Sequence, residues 1–206
     1  MSVDVAMPEA PSRRGWGRRL FASPPGWRFH ALCVPPALLR LWAATYPGFQ
    51  LITLAADAAL IALAGWWLVR LIAHIALGGG RRRMCLVAPA CALVLAALLA
   101  VHAPLQARWQ FSQGDFDRVV ASLDAPTGDD WAPVAVPDRI GSYAISSAYR
   151  VPGGLIFYED HGSLFDDAGF GWFPHGPDAA TLNNGSFESP QFTHLRGPWY
   201  TWTASW

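Results

Sequence analysis

Residues 51–77 form an apolar run long enough to cross about 30 Å of hydrocarbon at about 1.5 Å per residue, interrupted only by the ionisable Asp57, Arg70 and His74. The run predicts a transmembrane helix. Arg70 and His74 stand one helical turn apart near its C-terminal end, with Trp66 and Trp67 just inside them, an arrangement that suits snorkelling into the headgroups. A second apolar run, 86–105, has Pro89 in its first turn and Pro104 at its close, and it predicts another span. Between the two runs lies a cytoplasmic loop, 78–85. Its three adjacent arginines, Arg81, Arg82 and Arg83, assign that side by the positive-inside rule and make these residues the topology determinants.

The distribution of charge adds a third crossing. Every cationic side chain other than histidine is an arginine, and ten of them lie in residues 1–105 against three acids, while 106–206 holds five against twelve. The halves therefore carry +7 and −7 behind a formal net charge of zero. Arg13, Arg14, Arg18, Arg19 and Arg28 make residues 1–28 a basic tail, expected to be disordered and cytoplasmic. Two basic groups on one side, with the acidic half on the other, require an odd number of crossings. The one segment available for the extra crossing is 29–46, which carries Arg40 and the Pro35-Pro36 pair, a combination expected to break the helical ladder. If Pro47-Gly48 is the turn of a hairpin, Arg40 lies about seven residues before it and Asp57 about nine after, so the two charges reach similar depth and can pair. Pairing offsets a cost of roughly 2.5–3.5 kcal/mol that either charge bears alone near the bilayer centre. In the alternative arrangement, 29–46 lies in the interface as an amphipathic anchor. Residues 12–21 resemble an export signal, but the apolar stretch after them is interrupted and has no clear small-x-small site, so no cleavage is expected.

The acidic half has a different texture. Trp109, Phe111, Phe116, Val119, Val120 and Leu123 recur at roughly helical intervals, predicting an amphipathic helix that starts near Ser112. Residues 124–138, rich in Pro, Gly and acids, read as loop. Strands are expected at 140–149, 155–159, 169–173, 191–195 and 199–205, with a turn at Pro152-Gly153-Gly154 and with Tyr143, Ile145 and Tyr149 sharing an apolar face. The fold class that follows is a membrane α-helical hairpin or three-span unit, 29–105. It carries a small exterior α+β domain, 106–206, built as an antiparallel sheet of four to six strands with one packed helix.

Chemistry-bearing residues are present without a catalytic pattern. Glu159, Asp160, His161, Asp166, Asp167, His175, Glu188 and His194 match neither a zinc spacing nor a calcium loop, and the G-x-S-x-G of a serine hydrolase is missing. Cys33, Cys85 and Cys91 fit small apolar positions, and no cofactor-binding motif occurs. The crowded aromatics Trp172, Trp199, Tyr200 and Trp202 are candidates for a ligand-stacking surface, set against packing in a small core or contact with the outer headgroups.

The segments GFGWFPHGP at 169–177 and GPWYTWTASW at 197–206, with Arg108–Ser112 after the last span, resemble uncharacterised small integral membrane proteins of high-GC Gram-positive (actinobacterial) bacteria. The resemblance covers roughly 81–206. It brings no activity and no catalytic residue; the apolar runs and the charge pattern are what predict a multi-pass protein of the bacterial plasma membrane with a cytoplasmic N-terminus. The expected role is an exterior binding or interaction module in contact with the lipid bilayer, serving a protein partner or an envelope ligand and not nucleic acid. The alternatives are a cell-envelope enzyme of hydrolase type and an accessory subunit of a membrane complex. An enzyme predicts that Asp160, His161 and His175 converge in one pocket.

Overall fold

The computed structural model describes residues 26–76, 83–123, 131–161 and 166–205. The basic tail with Arg13, Arg14, Arg18 and Arg19 lies outside the described residues, as do Arg81 and Arg82 and much of the 124–138 loop. Four main helices come first: α1 (Trp27–Ala43), α2 (Leu51–Ala76), α3 (Val87–Ala100) and α4 (Ala103–Ser122), with a 3-10 turn, Arg83–Leu86, ahead of α3.

Helix α1 packs along α2 and also touches α3. It runs through Pro35 and Pro36 without a break, contrary to the expectation that this pair would end the ladder. Two prolines remove two backbone donors, yet both rings are tolerated where neighbouring helices hold the segment. On α2 the less exposed positions, Thr53, Ala56, Asp57, Leu60, Leu63, Trp67, Arg70 and His74, recur every three or four residues and form one stripe. Arg70 and His74 belong to that inward stripe, and His74 is buried. The Trp67 indole donates to Cys85 O at 3.2 Å and ties the end of α2 to the start of the next segment.

By length and composition α2 is long and apolar enough to cross a membrane, and α3 reaches that standard only together with α4, from which it is bent by 47°. The bend falls at His102, whose φ of 51° is left-handed. Pro104 therefore opens α4 instead of closing a span. A proline suits the first turn of a helix, where its missing N–H has no intrahelical acceptor. For the same reason α4 begins nine residues before Ser112, the expected start. Along it Trp109, Ser112 and Phe116 are buried while Phe111 is 88% exposed, because two residues on from Trp109 the side chain has turned about 200° around the axis.

The rest of the chain is an antiparallel sheet: β1 (Ala132–Pro133), β2 (Arg139–Ile140), β3 (Tyr143–Val151), β4 (Gly154–Glu159), β5 (Asp167–Trp172), β6 (Glu188–Arg196) and β7 (Trp199–Ser205). Its order is β1-β3-β4-β5-β7-β6, with β2 on β3, making seven strands where four to six were expected. The two extra pairs, β1 and β2, are two residues each and too short to leave a periodic pattern. Strand alternation gives the sheet two buried faces. On one, α4 supplies Trp109 and Phe116 against Tyr143, Ile145, Phe157, Phe170 and Trp199. On the other, Ile156, Phe173 and Trp202 pack with Leu182 and Phe187 from the segment between β5 and β6, which includes α5 (Ala179–Leu182). Asp178 caps α5 by accepting from Ala180 N and Thr181 N. A β-bulge between Ile145 and Ser147 shifts the parity of β3. Tyr143 and Ile145 face α4, but Tyr149 is turned to the second face, correcting the expectation that the three share one.

Candidate functional site

The turn after α1, Ala44–Gly48 by position, meets the sheet domain, and Arg108 on α4 is the residue that joins them. Its guanidinium carbon lies 4.3 Å from the Tyr46 ring centroid and 4.0 Å from that of Tyr143, so the cation is held between two aromatic faces. Nη1 donates to Thr45 Oγ1 at 3.1 Å, Nε donates to Ser142 Oγ at 3.0 Å, and Nη2 donates to Ser142 O. Ser112, one turn along α4, receives the Ser142 N–H at 3.1 Å and shares a 2.8 Å contact with Ser142 Oγ. Tyr143 Oη donates to Thr45 O at 3.2 Å, closing the joint from the sheet side. Burial pushes the Tyr143 hydroxyl far up from its ordinary value, against a smaller opposing pull from Arg108.

Glu159 lies at the end of β4 beside this joint, 5% exposed. Its carboxylate accepts from His161 N and pairs with His161 Nδ1, both at 3.0 Å, and the His161 ring packs on Tyr46 with centroids 5.0 Å apart. Burial raises the Glu159 carboxyl above the usual carboxylate range, and the His161 hydrogen bonds and Arg108 pull the other way without cancelling it.

A second feature of the joint is a partly open cavity of about 280 Å³ between the α1–α2 turn, the bend at His102 and the paired strands β6 and β7. Arg40, His102, Gln106, Thr193 and His194 supply its polar wall. Arg40 Nε donates to Asp57 Oδ1 at 3.0 Å, the two residues reaching across from α1 to α2.

Other candidate residues are dispersed. Asp160 and His175 are exposed, and neither they nor His161 line this cavity or the shallow one beside Asp115 and Arg139. Asp166 accepts from Ser205 Oγ, His194 bonds Gly197 O, Asp167 is half-buried and Glu188 is exposed. No group of three or more metal-ligating side chains occurs among the described residues.

The four aromatics considered for a stacking surface divide as the sheet's alternation dictates. Trp199 and Trp202 are core residues, 0% and 1% exposed, with their indoles donating to Asp117 Oδ1 and Phe170 O, so neither offers a face to a ligand. Trp172 and Tyr200 are half-buried against the two cores. Sequence reasoning did not single out Arg108, Tyr46, Tyr143 or Thr45. The Arg108–Ser112 segment was visible, but its partners lie 30 to 63 positions away on either side, and nothing local signals them. Compared with known proteins, the chain matches no family model, no curated protein and no solved structure.

Proposed function

We propose that the protein is a multi-pass membrane protein in which α1, α2 and α3 cross the bilayer and hold the acidic α+β domain against its outer surface as a binding or interaction module. The Arg108 joint carries this reading. It fastens the domain to the turn between α1 and α2 through the Tyr46 ring face and the bond to Thr45 Oγ1, and Tyr143 Oη adds a bond to Thr45 O, so the turn and the domain belong on one side of the membrane. The opposite ends of the hairpin and of α3 then share the other side with Arg28 and the arginines at 81–83, as the positive-inside rule asks.

Exposure supports the same reading. The most apolar stretch of α2 is only 11% buried, whereas the core helix of a water-soluble protein hides most of such a surface. Ile61, Val69 and Ile72 on α2, Leu93 and Val94 on α3, and Leu32 and Leu38 on α1 all point outward. Arg40 and Asp57 satisfy each other inside one chain, which leaves the accessory-subunit reading without its charged contact. Asp160, His161 and His175 do not line the cavity at the joint, so the cavity itself adds no support to the enzyme reading.

Reporter fusions test the topology. Alkaline phosphatase joined after β7 is expected to be active outside the cell, and a fluorescent protein joined ahead of α1 to fluoresce from the cytoplasm. An exterior reporter that is active at both ends would remove the first crossing and with it the three-span reading.

A further inference from the structure

The cavity at the joint has a wall of unusual charge for its surroundings. The half of the chain that forms its β6–β7 side holds twelve acids to five arginines, yet no carboxylate lines it. What lines it instead includes a set of groups able to donate, the Arg40 guanidinium, the His102 imidazole, the Gln106 amide and the Thr193 hydroxyl, with the His194 ring beside them. Asp57 engages Arg40 through Nε, which leaves Nη1 and Nη2 outside that bond. The His194 Nε2–H donates to Gly197 O at 2.9 Å, which uses the one donor of the neutral ring and fixes its orientation.

His102 is the second observation. It holds a left-handed φ of 51° at the bend between α3 and α4, a conformation that costs a non-glycine residue on the order of 1 kcal/mol or more and that glycine adopts freely. A side chain kept at such a position is a mark of sites where the side chain itself is used. Gln106 N donates to His102 O at 3.0 Å, tying the bend to the first turn of α4, and both residues line the cavity. Leu99, Leu105 and Leu195 line it beside these donors, and the exposed Leu51, Ile52 and Leu54 flank Thr53 of its wall, so the cavity also has an apolar side.

We propose that this cavity holds the phosphate-bearing headgroup of an anionic lipid, with the acyl chains running down the exposed apolar faces of the helices. The inference rests on the membrane reading above, which puts the cavity at headgroup level. Guanidinium, imidazole and amide donors around a site without carboxylates match a phosphodiester. A soluble phosphate ester shares that chemistry but makes no use of the apolar side, and this favours the lipid.

The full chain in a neutral detergent provides the test, with thermal unfolding measured against added phosphatidylglycerol, phosphatidylcholine or glycerol 3-phosphate. Phosphatidylglycerol is expected to raise the unfolding temperature in a saturable way, the other two to do little. His102→Gly suits the backbone at φ 51° and keeps the fold, and together with Gln106→Ala it is expected to weaken the apparent affinity about tenfold each, as for loss of one hydrogen bond to a charged group. Equal stabilisation by phosphatidylcholine would overturn the anion preference, and equal stabilisation by glycerol 3-phosphate would overturn the lipid source. A phosphatidylglycerol effect untouched by either substitution would place the lipid elsewhere and sink the proposal. Fractionation separates the two readings: a protein recovered in the soluble fraction defeats the membrane reading, whereas a membrane-bound protein indifferent to phosphatidylglycerol defeats the cavity proposal alone.

Discussion

Arg108 serves the joint through shape as much as charge. A planar guanidinium fits between two rings and still presents donors at its edge, and an ammonium cannot do both. Arg108→Ala is expected to destabilise the protein by about 2–4 kcal/mol, combining loss of two cation–π contacts and three charge-assisted hydrogen bonds in a partly exposed setting. Arg108→Lys should recover less than half of that loss, as read from chemical unfolding of the purified protein. Recovery of most of it would mean that the charge alone matters. Glu159, beside the same joint, makes stability depend on pH. Burial raises its folded-state pKa above the ordinary 4.5, so the folded protein binds this proton more tightly than the unfolded chain does. The resulting stabilisation is complete below about pH 4.5 and is lost as the pH climbs from there through the higher folded value. Glu159→Gln, uncharged throughout, should flatten that part of the curve, seen as a smaller fall in unfolding temperature between pH 4.5 and 7 than the native protein shows. Parallel curves for the two proteins would remove Glu159 as the source.

At the level of elements, the sheet depends on close approach at Gly169. A Cβ there would lie 1.8 Å from Phe157 O and 3.0 Å from the Trp202 ring, at the crossing of β4, β5 and β7. Backbone cannot move aside as a flexible side chain can, so Gly169→Ala is expected to cost about 3 kcal/mol or more, at the upper end for overpacking. Loss of the folded baseline in near-ultraviolet circular dichroism at ambient temperature checks this, and a change under 1 kcal/mol would contradict the geometry. The glycine was legible in the sequence as the first residue of an expected strand, 169–173, but its role was not, because the atoms it accommodates belong to other strands. The same limit explains which elements could be read in advance. The apolar run of α2, the two-residue turn between β3 and β4, and strands β5 and β7 announce themselves through local period and turn residues. The start of α4 does not, since Pro104 suits the end of one helix and the beginning of another equally well, and the left-handed His102 decides between them. The bulge in β3 is equally silent, and it alone turns Tyr149 away from the face of Tyr143 and Ile145. The site suffers most: Arg40 and Asp57 could be matched by counting from a turn, whereas Arg108, Thr45 and Tyr143 meet only after the whole chain has folded.

For the molecule as a whole, the proposed three-span topology makes the Arg40–Asp57 pair a link between the folding of the domain and the entry of α1 into the membrane. A crossing by α1 requires Arg40 to be carried among apolar helices, and Asp57 on α2 receives it through a single 3.0 Å contact with both side chains partly exposed. Removing one partner leaves the other uncompensated, at a cost of roughly 2.5–3.5 kcal/mol if it stays within the hydrocarbon. Asp57→Ala should therefore lower the fraction of chains whose tail is cytoplasmic, because α1 then carries an unpaired cation and the interfacial position becomes competitive. Arg40→Ala has the opposite balance for α1, whose insertion becomes easier, and places the cost on α2. The double replacement Arg40→Ala with Asp57→Ala should restore the native topology, since neither charge remains to be buried. The joint supplies the coupling: Thr45 and Tyr46 follow Arg40 by one turn and a half, so an α1 that slips into the interface pulls them from Arg108 and Tyr143. Protease protection of the exterior domain should thus fall in Asp57→Ala and return in the double variant, in parallel with the reporter at the N-terminal side. A single Asp57→Ala protein with native topology and native protection would show that the pair is incidental and that the basic segments alone set the number of crossings.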